Sequence, residues 1–163
     1  MSLENRYSKI ANFGQTLLSK KSLAEGLPHI STYAKEIIGA ERCSVFVYNQ
    51  SNDTLWTTLA DGIDKIVVPA EQGIVGHTFI TKEPVIIFDA KRDPLFLSKI
   101  DEESGFITKN MITAPIFNSN RNVVGVLQLL NKDAGFDEED VKFMTFFAHY
   151  VSSFIELATL YKR

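Results

Sequence analysis

Residues 123–140 read VVGVLQLLNKDAGFDEED. The first eight are a near-continuous apolar run, the pattern of a buried strand. One polar residue interrupts it, Gln128, between Leu127 and Leu129. A buried amide left without a partner costs about 1–3 kcal/mol, so Gln128 needs a reason to be there. The chain then turns through Asn131–Gly135 and opens an acidic helix start at Asp137. Just upstream, the polar loop Asn118–Asn122 joins this strand to another, Asn110–Phe117, which carries Pro115 near its end. Downstream, 137–163 reads as one long helix with two apolar seams. Phe143, Phe147, Tyr150, Phe154, Ala158 and Tyr161 make one seam, and Met144, Ala148, Val151 and Ile155 the other. A helix apolar over that much of its circumference needs more than one partner: the sheet for one seam, and the first helix, a second subunit or both for the other.

The earlier part of the chain supplies those partners. Residues 4–20 have Ile10, Phe13 and Leu17 at helical spacing. Ser22 with Glu25 is a capping box that starts a second helix, with a stripe of Leu23, Leu27, Ile30, Ala34 and Ile37, stopped by Gly39. Cys43–Tyr48 is a strand apolar on both faces, Thr54–Ala60 a second and Lys65–Pro69 a third, with turns at 49–53 and Asp61-Gly62. Residues 72–81 form a short helix entered through Gly73 and stopped at Lys82–Pro84, and Val85–Phe88 is a strand. Asp89–Thr108 has no long period and reads as a lid or binding loop carrying one or two helical turns. Strand–turn–strand order argues for an antiparallel meander over β-α-β units. The expected fold is α+β: a sheet of about six antiparallel strands, terminal helices on one face, short helices and the lid loop over a pocket on the other.

Composition narrows the function. A net charge of −3 with no Lys/Arg cluster lacks the footprint of a nucleic-acid binder. The single cysteine, Cys43, excludes an intramolecular disulfide and a Cys-rich metal site, and in an apolar strand it reads as buried and inert. His29, His77 and His149 share no helix-face spacing and make no metal set. No stretch reaches the ~18 apolar residues of a membrane span, and the N-terminus has no signal-peptide core. A cytoplasmic chain with no membrane and no nucleic-acid partner is expected.

Several stretches together resemble a known family: CSVF (43–46), IVVPAEQGIVGH (66–77), DPLF (93–96), SGFITKN (104–110), and Asn131-Lys132 followed by Phe136 and Asp140. The chain from about residue 20 to 161 resembles a GAF domain, a PAS-like fold. It is most similar to the cyclic-nucleotide-binding GAF domains of regulated phosphodiesterases and of adenylyl or diguanylate cyclases. The Asn-Lys, Phe, Asp set is the signature of that subclass, with Val141 where Glu is usual. The resemblance implies one domain over 1–163, with a linker or dimer helix at 1–20 and a signalling helix at 137–163. It implies a cyclic nucleotide as ligand, no covalent cofactor, a homodimer through the terminal helices, and an output cyclase, phosphodiesterase or kinase elsewhere in the protein. GAF-type methionine sulfoxide reductases need several cysteines, which argues against an enzyme.

A cyclic nucleotide needs donors for its phosphate, apolar faces for its base and a few polar groups for the base edge. The helix starts at Gly73-Ile74-Val75 and at Asp93–Leu97 could each face a phosphate or be ordinary caps. Ser44 shares a strand face with Phe46 and Tyr48, and the resemblance puts it at the base edge. Gln128 shares parity with Val124, Val126 and Leu130, where the resembling phosphodiesterase domains often carry Glu. Asp101, Ser104 and Thr108 fall at lid positions that face the ligand in the family. Asp61 matches a base-reading Asp but could equally be a turn residue before Gly62, and Ala60 cannot stack on a base as the family Phe does. Asn131, Lys132, Phe136 and Asp140 are expected to brace the frame, the Lys–Asp pair as a surface pair worth about 0–1 kcal/mol. Cyclic AMP is slightly favoured over cyclic GMP. The rival reading is a dimerisation and relay element with an empty or apolar pocket.

Overall fold

The computed structural model describes residues 2–20, 22–57, 66–96 and 105–160. Four helices are set out along these segments: α1 Leu3–Leu17, α2 Leu23–Ile38, α3 Gly73–Thr81 and α4 Glu138–Leu160. Six strands accompany them: β1 Arg42–Asn49, β2 Thr54–Thr57, β3 Ile66–Pro69, β4 Val85–Ile87, β5 Met111–Phe117 and β6 Val123–Leu130. The elements follow the sequence patterns closely. Ser22 caps α2 by accepting from the Glu25 N–H at 3.3 Å, and Gly39 closes it in the left-handed region at φ 87°. Residues 58–60 and 65, the side chains of Leu23 and Ala158, and Tyr161 lie outside the described residues.

All strands pair antiparallel in the order β3-β2-β1-β6-β5-β4. The quoted stretch therefore sits at the centre of the sheet, with β1 on one side and β5 on the other. Alternation along these strands separates two cores. Cys43, Val45 and Val47, with Ile112, Ala114, Ile116, Leu127 and Leu129, face the main core under α2 and α4. Phe46, Leu55, Ala70, Val75 and Val126 form a second, smaller cluster with α3 on the opposite face. Gly125 is required at the central seam, because a Cβ there would collide with the Phe46 carbonyl oxygen of the neighbouring strand.

α2 lies on β1 and α4 on β5, and α1 packs on both helices. Phe13 of α1 is fully buried and lies 4.9 Å from the Phe147 ring. Both seams of α4 are thus filled largely within the chain, by the sheet, α1 and α2. Among the described residues, the aromatic side chains of Tyr7, Phe146 and Tyr150 remain exposed on these helices.

Candidate functional site

The face opposite the long helices carries a polar row across the three central strands. Ser44 stands opposite Gln128, and Gln128 stands opposite Thr113. Directly opposed residues place their Cβ atoms about 4.5–5.5 Å apart. The row ends on α3, where the Thr78 and Thr113 hydroxyls meet at 2.5 Å. That pair satisfies itself and ties α3 to the sheet. Among the described residues, the side chains of Ser44 and Gln128 have no hydrogen-bond partner, although Ser44 is only 3 % exposed. Phe46 and Val126 extend the same face as an apolar wall, with Val75 packed on them from α3. Ile74, the residue before Val75 in the first turn of that helix, is buried.

Arg42 belongs to this face as well. It lies two residues before Ser44 and opposite Leu130. The Phe106 ring lies over its guanidinium, 3.9 Å from Cζ. Nη1 of Arg42 is buried with no hydrogen-bond partner, the one such side-chain atom among the described residues. A charged donor left unpaired in the interior is costly.

The segment 107–110 leading into β5 is held by Asn131. Its φ of 62° lies in the left-handed region that Asn tolerates. The carbonyl Oδ1 accepts from the Lys109 N–H at 2.7 Å and the Asn110 N–H at 3.3 Å. The amide Nδ2 donates to the Ile107 carbonyl at 2.8 Å and to Glu41 Oε2 at 3.1 Å. Thr108, within this clamped segment, is buried and engaged. Next along the chain, Lys132 Nζ donates to both carboxylate oxygens of Asp140 at 2.8 Å.

Asp140 corrects one expectation. Its side chain is fully buried, so the pair with Lys132 is internal and not a surface bridge. Arg6 of α1 adds a second cation at 3.3 Å, and itself donates to the Ile37 carbonyl through Nε at 3.0 Å. Asp140 also closes a reciprocal cap. It accepts from the Asp137 N–H and gives its own N–H to Asp137 Oδ1, each at 3.0 Å. The bond from the Asp140 N–H, and behind it the Lys132 charge, hold the Asp137 pKa below its ordinary value. Phe136 is buried in the main core, and Val141 packs against that core from the helix start.

Of the residues singled out from the sequence, the structure brings Ser44, Phe46, Val75 and Gln128 onto one face. Asp61, Leu97, Asp101 and Ser104 lie outside the described residues. At the helix starts, Gln72 makes no side-chain cap of α3, and Asp93 accepts from the Leu95 N–H at 2.9 Å. Arg42, Thr113 and the clamp made by Asn131 were missed. Arg42 shares the parity of Ser44, and that signal could have found it. His29 stacks on Phe13 and meets Thr16 Oγ1 at 2.9 Å. Among the described residues, no group of three or more His, Cys, Asp and Glu is placed to hold a metal ion. No helix among them is long and apolar enough to cross a membrane. A separate cleft of about 290 Å³ lies at the other end of β5, lined by Lys82, Pro115, Phe117, Arg121, Thr145 and His149 among others.

The family model of the GAF domain matches residues 22–155. Among solved structures, the chain is similar to the GAF domain of a phosphoenolpyruvate-protein phosphotransferase (ptsP) from Coxiella burnetii. That match has TM-score 0.88 and 18% identity and covers 99% of both chains. The corresponding domain from Acinetobacter matches with TM-score 0.84 and 20% identity, again over 99% of both chains. A free methionine-R-sulfoxide reductase from Neisseria meningitidis, solved with its substrate, matches with TM-score 0.81 and 17% identity, over 95% of this chain and 90% of that one. Identities this low speak for the fold alone.

Proposed function

The chain belongs to the GAF family of regulatory sensor modules, and from that premise we propose that it senses a cyclic nucleotide bound on the sheet face opposite α2 and α4. The observation that carries this reading is the facing pair Ser44 and Gln128, polar, mostly enclosed and with side chains that have no hydrogen-bond partner among the described residues. A carboxamide offers an acceptor and two donors with no charge, which suits the donor–acceptor edge of adenine. Cyclic AMP is accordingly placed ahead of cyclic GMP. Phe46, Val75 and Val126 supply the apolar surface for the base.

Binding is relayed through bonded neighbours. The loop end at 107–110 is clamped by Asn131, Asn131 is followed by Lys132, and Lys132 holds Asp140 at the start of α4. A ligand biases this path only by binding one arrangement more tightly than the other. The output domain lies elsewhere in the protein, and two copies meet through α1 and α4. The reductase chemistry named for one structural neighbour is not carried over. The one cysteine here, Cys43, is buried on the opposite face of the sheet.

Thermal melting with saturating cyclic AMP, cyclic GMP and AMP tests the reading. Ligand at 100 times its dissociation constant adds about 2.7 kcal/mol. The absence of a shift with either cyclic nucleotide would instead favour a relay element whose second apolar cluster merely packs. Gln128→Leu is expected to weaken cyclic AMP binding about 5–30-fold, one hydrogen-bonding edge lost, while the ligand-free domain melts no lower than wild type. Unchanged affinity would make Gln128 a packing residue.

A further inference from the structure

We propose that Arg42 is the anion anchor of this face, its free Nη1 taking an oxygen of the ligand's charged group while Phe106 lies across the guanidinium plane. The inference rests on the reading of the Ser44–Gln128 face as a ligand site and names the chemistry required of that ligand: a negatively charged oxyanion, phosphate or carboxylate, beside a hydrogen-bonding edge.

Arg42 differs from Arg6 and Lys132, the cations around Asp140, in what it meets. Arg6 has a carboxylate and a carbonyl, and Lys132 has both oxygens of Asp140. Arg42 has only the ring of Phe106. A ring contact occupies the face of a guanidinium and leaves its N–H donors pointing outward in the plane. One of those nitrogens, Nη1, is buried and unmet. The carboxylate nearest in sequence, Glu41, is engaged by Asn131. None of the ion pairs among the described residues includes Arg42. Oxyanions are the groups that a guanidinium edge binds best, often through two parallel bonds. Ser44, two residues along the same strand face, and Gln128 opposite it present the neutral donors and acceptors that would meet the remainder of such a ligand. For a cyclic nucleotide the anion is the cyclic phosphate.

The test compares wild type with Arg42→Met and Arg42→Lys. Titration calorimetry uses cyclic AMP and the uncharged adenosine, and melting is followed with inorganic phosphate. Arg42→Met is expected to lose at least about tenfold in cyclic AMP affinity, the scale of one charge-assisted hydrogen bond. Its adenosine affinity should match wild type, its phosphate-induced rise in melting temperature should vanish, and it should melt no lower than wild type without ligand. Arg42→Lys should recover part of the cyclic AMP affinity. Equal cyclic AMP affinity in wild type and Arg42→Met overturns the anchor and leaves the sensor reading standing. If wild type binds no cyclic nucleotide, that reading falls, and the phosphate arm decides separately: an Arg42-dependent rise supports the anchor, and none overturns it. A ligand-free Arg42→Met that melts well below wild type makes Arg42 structural and also overturns it.

Discussion

Asp140 gathers Lys132, Arg6 and the Asp137 N–H around one buried carboxylate. Removing its charge leaves two cations facing a neutral amide. Breaking a fully buried pair costs about 3–5 kcal/mol. Because the Lys132 and Arg6 side chains are 21% and 15% exposed, Asp140→Asn is expected to destabilise the domain by about 2–4 kcal/mol in urea unfolding. A cost under ~1 kcal/mol would return the pair to the class of surface bridges. The sequence allowed the Lys–Asp partnership to be named but not its burial. Arg6 stands 134 residues away in sequence, and no local pattern announces such a meeting. Ser44 and Gln128 were legible because strand parity has period two and tolerates no ambiguity once one face is known. Arg42 carries the same parity, but a lone Arg at the first position of a strand also fits a solvated end, and parity alone does not choose between the two.

At the scale of elements, α1 and α2 are joined by an aromatic stack of Phe13, His29 and Tyr33. Burial lowers the His29 pKa below its ordinary 6.5, and the nearby Lys20 charge lowers it further. The unfolded chain takes up this proton first as pH falls. The contribution of His29 is therefore fully present above 6.5 and is lost as pH falls from there to the folded value. Melting temperature followed through this window should drop more steeply in wild type than in His29→Gln; parallel curves would remove His29 as the cause. Helix positions here were legible from apolar spacing and from the Ser22 cap. The order of strands was not, because placing β6 beside β1 brings together residues about 80 apart, and only the completed sheet specifies that closure. Within 89–108 the described residues form one 3-10 turn, Ala90–Arg92, a feature too short for any period in the sequence to announce.

At the scale of the whole molecule, Tyr7 and Phe146 pack edge to face at 5.7 Å on the outer side of α1 and α4, 41% and 44% exposed. This ridge is where a second copy is proposed to dock. Phe146→Glu is expected to turn a dimer into a monomer in size-exclusion chromatography across a dilution series, with melting temperature little changed. A wild-type chain that is monomeric at high concentration would remove the proposal. The division of the apolar interior by the sheet has a separate consequence. The larger cluster unites α1, α2 and α4, while the smaller one joins α3 to the opposite face of β1, β2 and β6. Two clusters that share only a sheet between them need not open together. The side proposed to receive a ligand can therefore breathe at a modest free energy while the other keeps the chain folded. For such a ligand, entry and exit are set by a local opening rate, apart from the lifetime of the fold itself.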